Sequence, residues 1–205
     1  MLLPVCIIDD FLGPEVSARM REFVIGHEAE FEPSAQYHYG GSRSLEGFRK
    51  SLSFRGDPEP VLEPFAAGLK EVAGRLRAET GCESFGLELS DFDLTAYRDG
   101  HRLKRHIDTH TGPKRALSAS DRVLSLVYYL MAEPRRFSGG DLVMHGLVGD
   151  ERQTITPQHD RLVAFPSLAP HEVETIHLPG DDFATARFSL VCWLCRPRAD
   201  NPAAA

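Results

Sequence analysis

The sequence predicts a mainly β fold, an antiparallel sandwich or jelly roll with helices ahead of it. Three observations carry that reading. Beyond residue 87 the chain breaks into short runs rich in β-branched and aromatic residues: "LELSDFDLTAYR", "RVLSLVYYL", "DLVMHGL", "RLVAFPSL", "HEVETIHL" and "RFSLVCWLC". Turn signals separate them, among them "RDG", "SGG", "VGD" and "LPGDD". No helical spacing intervenes, which argues against an alternating α/β fold.

The elements follow in order. Val5 to Ile8 read as a short apolar strand. Pro14 then stands where a first helical residue would, and Val16, Met20, Phe23 and Val24 recur at helical spacing. Residues 33 to 60 lack periodicity, so they read as a long loop with one short strand at "SLSF". Loops of that length often cover a binding site, and Tyr37, Tyr39 and Arg43 are available to touch a substrate. Val61, Phe65, Leu69, Val72 and Leu76 mark a second helix whose apolar stripe should face the sheet, with Gly81 as its stop. The strands come next, and the tail at 199–205 is expected to be disordered. We read residues 1–198 as a single domain with a jelly-roll core over about 87–196.

Composition narrows the function classes. The chain has 205 residues, 42% hydrophobic and 26% charged, enough for a substantial core. No apolar run reaches the roughly 20 residues that span a bilayer. Pro4, Asp9 and Asp10 interrupt the start before a signal peptide's apolar core could form, which points to a cytoplasmic protein without a membrane role. A net charge of −7 disfavours a broad nucleic-acid surface. Cys6, Cys82, Cys192 and Cys195 are too few and scattered for a disulfide framework. Cys192 and Cys195 do fit the Cys-x-x-Cys form, but no second Cys/His pair accompanies them, so they read as small core residues.

The chemistry concentrates in "KRHIDTH", Lys104 to His110. A His-x-Asp pair alone is weak, since chance supplies about 0.6 such pairs in a chain of this composition. On an extended segment, however, His106 and Asp108 point the same way and can reach one ion together. A third ligand must come from His110, His145, His159, His171 or His177. His171 lies between two apolar strands, which suits a preorganised site. Two histidines and one carboxylate leave coordination positions open, as non-haem Fe(II) requires, whereas zinc favours a nearly closed tetrahedron. Arg187 begins a strand otherwise almost wholly apolar, where a guanidinium is costly unless it meets an anion. Ser189, Val191 and Trp193 share its face.

Taken in order, "YRDGHRLKRHID", "RVLSLVYYL", "FSGGDLVM", "RLVAFPSLAPHEV" and "RFSLVCWL" resemble the prolyl 4-hydroxylase-like branch of the Fe(II)/2-oxoglutarate-dependent oxygenases. The likeness covers roughly Asp91 to Leu194. It implies a double-stranded β-helix, a cupin-like jelly roll buttressed by the amino-terminal helices. It makes His106, Asp108 and His171 the metal ligands and catalytic centre. It makes Arg187 the anchor of the distal carboxylate of 2-oxoglutarate, with Ser189 and Tyr129 as further contacts and Tyr97 lining the cosubstrate and substrate side. The arginine follows the distal histidine by sixteen residues here, more than is usual in the family, a spacing that His177 would fit better. His171 is retained because "HEV" directly follows the "RLVAFPS" strand and "LPGDD" reads as a lengthened hairpin. His110 is expected at the surface or on the substrate side.

The activity implied is hydroxylation of an unactivated C–H bond with release of succinate and CO2, using Fe(II), 2-oxoglutarate and O2, with ascorbate as a candidate reductant. A prolyl residue in a peptide or protein is the leading substrate, and a free amino acid or natural-product intermediate the alternative. A jelly-roll module that binds metal without catalysis is a reading from another class. Arg187 speaks against it, because a metal-only module has no use for a buried arginine.

Overall fold

The computed structural model describes residues 1–34, 47–89, 91–112, 115 and 118–198. Tyr37, Tyr39, Arg43 and the tail at 199–205 lie outside the described residues. In chain order the elements are β1 (Cys6–Ile8), α1 (Pro14–Gly26), β2 (Phe31–Pro33), β3 (Arg49–Lys50), β4 (Leu52–Phe54), α2 (Glu59–Thr80), β5 (Phe92–Tyr97) and β6 (Arg102–His106). There follow β7 (Ser120–Leu130), β8 (Ser138–Gly139), β9 (Leu142–His145), β10 (Arg152–Ile155), β11 (Leu162–Pro166), β12 (His171–Val173), β13 (Ile176–His177) and β14 (Arg187–Pro197).

All strand pairing is antiparallel, as the strand-rich, helix-free run after residue 87 predicts. A seven-stranded sheet has the order β1-β11-β7-β14-β5-β4-β2 and a five-stranded sheet the order β10-β9-β12-β6-β3. The two form the jelly roll, and β8 pairs with β13 as a small appendage. Period-2 alternation sorts the long strand β14. Phe188, Leu190, Cys192 and Leu194 are fully buried on one face, and Arg187, Ser189, Val191 and Trp193 line the space between the sheets on the other.

The outer face of the large sheet is covered by the helices. Leu190 pairs with Tyr128 in register, and the Tyr128 ring stands 5.6 Å from Phe65 of α2. α2 buries Val61, Phe65, Leu69, Ala73, Leu76 and Thr80 and ends on Gly81 in the left-handed conformation at φ +68, as a helix stop requires. Ala73, with its small side chain, takes the buried place expected for Val72, which is half-buried. No helix among the described residues is long and apolar enough to cross a membrane.

Two expectations need correction. Residues 33–60 hold more than one short strand: β3 joins the small sheet beside β6, and β4 joins the large sheet beside β5. The chain therefore crosses between sheets at Ser51, and strands of two and three residues are too short to leave a periodic signal. In "LELSDFDLTAYR" the strand begins only at Phe92. Cys192 is fully buried and Cys195 half-buried, and both are free thiols.

Candidate active site

Between the sheets lies a cavity of about 190 Å³ whose lining includes His106, Asp108, His171, Arg187, Ser189 and Tyr97. The small sheet supplies the metal-ligating set. His106 ends β6, His171 begins β12, and the two are direct cross-strand partners, so their ring centroids stand 4.2 Å apart. Asp108 lies just past β6, where the Asp108 and Thr109 amides both donate to Ser167 O, at 2.9 and 3.0 Å. Asp108 Oδ1 is then 3.4 Å from His106 Nε2, and Oδ2 is 3.6 Å from His171 Nε2. The three ligand atoms lie within 4.8 Å of one another, so small side-chain shifts bring all of them to one ion.

Hydrogen bonds set the tautomers for that task. His106 Nδ1 lies 2.8 Å from Lys104 O and His171 Nδ1 lies 2.9 Å from Ala169 O. A carbonyl only accepts, so each Nδ1 carries a proton, which leaves Nε2 as the ligating atom. Burial pushes His171 down to about 4, against the pull of Asp108, which keeps the imidazole neutral at neutral pH. Burial alone would push the Asp108 carboxyl up. The neighbouring His171 and His106 and a 2.7 Å hydrogen bond from Ser125 Oγ outweigh it and hold the carboxyl well below the usual range. Two imidazoles and one carboxylate suit a divalent cation with open positions.

The large sheet supplies the anion site. Arg187 is 1% exposed. Its Nε donates to Gly140 O at 3.0 Å and its Nη1 to Ser189 Oγ at 3.3 Å. Gly140, at φ +70, permits this approach, because a Cβ there would fall 2.7 Å from Ile176 Cγ1 and 3.1 Å from Arg187 Cδ. The Arg187 Cζ lies 4.8 Å from the Tyr129 ring centroid and 5.0 Å from that of Tyr97. Two buried polar atoms here have no hydrogen-bond partner among the described residues, Arg187 Nη2 and Tyr129 Oη. Such atoms are expensive to bury unpaired, and a carboxylate entering the cavity beside Arg187 would satisfy Nη2. The donor set and these orphaned atoms fit a divalent metal and a dicarboxylate.

The structure brings six of the seven candidate residues to the cavity wall and sets Tyr129 directly behind Arg187. His177 is exposed on β13 and lies outside the cavity lining. His110 lines the cavity but is no member of the ligand cluster. Sequence reasoning missed Ser125 and Ser167, which position Asp108. Ser125 sits fully buried in the apolar strand "RVLSLVYYL", the same anomaly that singled out Arg187. Arg49, Asp93 and Arg122 also line the cavity, and no pattern in the sequence marked them.

Comparison with known proteins adds the following. Residues 92–195 match the family model described as the 2OG-Fe(II) oxygenase superfamily. An uncharacterized PKHD-type hydroxylase of Synechocystis is 26% identical over 196 residues, which cover 91% of this chain and 61% of that protein. The chain thus spans about three fifths of that relative's length. Among solved structures, a Pseudomonas putida prolyl-4-hydroxylase superposes with a TM-score of 0.65 at 22% identity, covering 95% of this chain and 93% of its own. A Trichoplax adhaerens prolyl hydroxylase, solved with a hypoxia-inducible-factor oxygen degradation domain peptide, superposes with a TM-score of 0.64 at 20% identity, covering 93% of this chain and 83% of its own. At these identities the structural likeness speaks to the fold, which is the jelly roll described above.

Proposed function

Because the chain belongs to the 2OG-Fe(II) oxygenase superfamily, whose chemistry uses Fe(II), 2-oxoglutarate and O2, we propose that it is a dioxygenase hydroxylating an unactivated C–H bond of a prolyl residue in a peptide or protein. One observation carries this reading: a His-Asp-His triad faces, across one cavity, a buried arginine that keeps an unsatisfied Nη2, and the unpaired Tyr129 hydroxyl belongs to the ring packed against that guanidinium. A metal-binding module without a cosubstrate would leave those atoms unpaired at a cost. The prolyl substrate is supported by the kinship in fold with the two prolyl hydroxylases.

In this reading His106, Asp108 and His171 hold Fe(II), which when bound supplies a redox centre for activating O2 with 2-oxoglutarate as the reductant, releasing succinate and CO2. The chain's own work is positioning and exclusion. Arg187 pairs with the distal carboxylate of 2-oxoglutarate, Tyr129 Oη donates to the same group, and Ser189 holds Nη1 so that Nη2 is the free arm. Ser125 Oγ donates to Asp108 Oδ2 and favours the ionised carboxylate. Tyr97 closes the cavity beside Arg187, and Val127, Leu142 and Val191 keep water from the reacting centre.

The test is an anaerobic titration of Fe(II)-loaded protein with 2-oxoglutarate, observing the weak visible charge-transfer band of a chelated keto acid. The band should appear in the native protein and be lost in Arg187→Ala. Tight iron binding with no band at any 2-oxoglutarate concentration would return the chain to the metal-only reading.

A further inference from the structure

The mouth of the cavity carries polar groups that neither the metal triad nor the Arg187 pocket uses. On β5 the inward positions run Tyr97, Thr95 and Asp93, opposite Arg187, Ser189 and Val191 of β14. Tyr97 and Thr95 are buried, whereas the Asp93 side chain is 20% exposed. Same-face residues on a strand are about 7 Å apart, which puts Asp93 on the order of 13 Å along β5 from the closed end. That is the half of the cavity away from Arg187, and it is open to solvent at Asp93.

Asp93 is held there by an arginine from the opposite sheet. Arg49 Nη2 lies 2.6 Å from Asp93 Oδ2, and Arg49 Nε donates to Ser51 Oγ at 2.7 Å. As a mere tie between sheets the pair is a poor choice, because desolvating two charges offsets most of their attraction and apolar residues of similar size do as well or better. The pair also leaves an acceptor over. Asp93 lines the cavity and bonds Arg49 through Oδ2, and among the described residues no hydrogen bond to Oδ1 is found. The neighbouring cation does not compete for it, since Arg122 is bound to Asp91 at 2.6 Å and stacked 3.6 Å over the Trp193 ring. With Val191 as its cross-strand partner and Val127 on the strand beyond, a carboxylate oxygen attracts a cation more strongly than it would in water.

Resting on the dioxygenase reading above, we propose that Asp93, fixed by Arg49, determines specificity by receiving a cationic group of the substrate, an ammonium or guanidinium on or next to the residue hydroxylated. Two sources present that chemistry: the protonated imino nitrogen of a free or amino-terminal proline, or a basic side chain beside an internal proline.

The experiment measures binding and oxygenation of a matched probe set by Fe(II)- and 2-oxoglutarate-loaded protein. The probes are acetyl-Ala-X-Pro-Gly-amide with X as Lys, norleucine or Glu, together with L-proline and prolyl-alanine amide. Affinity is read by anaerobic calorimetry, and turnover by succinate and by the gain of one oxygen in the probe. Cationic probes should bind at least about tenfold more tightly than the norleucine peptide. That margin should fall to about twofold or less in Asp93→Asn and in the double variant Arg49→Gln/Asp93→Asn, which keeps a hydrogen-bonded pair without charge. Preference for X as Lys identifies the side chain as the source, and preference for L-proline or prolyl-alanine amide the imino nitrogen. Equal binding of charged and neutral probes, absence of binding by every cationic probe, or a margin unchanged in both variants overturns the proposal. Reduced thermal stability with unchanged selectivity does the same and makes the pair a structural tie. Failure of 2-oxoglutarate to bind the native protein would instead sink the dioxygenase reading, so the two failures are distinguishable.

Discussion

The two sheets contribute to the site in different ways. In the large sheet, β7 and β14 are eleven residues each and stay paired almost throughout. Register alone brings Arg187 beside Tyr97 and Ser189 beside Tyr129, and the buried face behind them locks that register. The small sheet is made of strands of two to five residues, and the pairing of β12 with β6 shifts between His171 and Val173. Its ligand Asp108 is steadied from across the cavity, by Ser125 of β7 and by the Ser167 carbonyl just after β11. The anion pocket is thus built mainly on one well-packed sheet, with the Gly140 carbonyl beyond it accepting from Arg187. The metal site depends on both.

The largest effect expected is in the small sheet. Asp108→Ala should abolish 2-oxoglutarate-dependent turnover and tight metal binding while the circular-dichroism spectrum stays native, because the core of the large sheet is untouched. A variant with full coupled turnover would remove Asp108 from the ligand set. Arg187→Ala comes next, with 2-oxoglutarate affinity falling about a hundredfold, the scale of a lost buried charge pair, and calorimetric metal affinity unchanged. Loss of metal binding in Arg187→Ala would mean that the two halves are not separable.

What could be read from the sequence follows the same division. The runs that became β7, β11 and β14 are long and apolar, and Arg187 stands out against such a background because a charge there needs a partner. Ser125 stands out less, since a hydroxyl in an apolar strand is a milder anomaly, yet it was visible in "RVLSLVYYL". The two-residue strands β3, β8 and β13 have no period to detect. Arg49 falls in such a strand, so nothing local announces its pairing with Asp93. That His171 faces His106 rests on long-range register, which no local pattern encodes, and the family resemblance supplied it instead. The same register excludes His177, which went with β13 to the appendage.

The dependence of the small sheet on the large one has its own test. Ser125→Ala removes the 2.7 Å hydrogen bond to Asp108 Oδ2 and leaves every ligand in place. Supporting bonds of this kind contribute about tenfold or more to metal affinity, so calorimetric metal affinity should fall by about that factor and 2-oxoglutarate turnover with it at limiting iron. Unchanged affinity would show that the backbone bonds to Ser167 hold Asp108 without help from β7.

The smallest expected effect sits wholly within the large sheet. Tyr129 Oη is buried and has no partner among the described residues, so Tyr129→Phe removes a polar atom that the protein alone leaves unsatisfied. Stability without 2-oxoglutarate should therefore stay level or rise, contrary to the usual cost of deleting a buried hydroxyl that is bonded. If that hydroxyl donates to the cosubstrate, 2-oxoglutarate affinity should drop about fivefold, the scale of one hydrogen bond of roughly 1 kcal/mol. Thermal melts with and without 2-oxoglutarate read both signs in one experiment. A variant stabilised equally under both conditions would leave Arg187 as the sole anchor and Tyr129 as its packing neighbour.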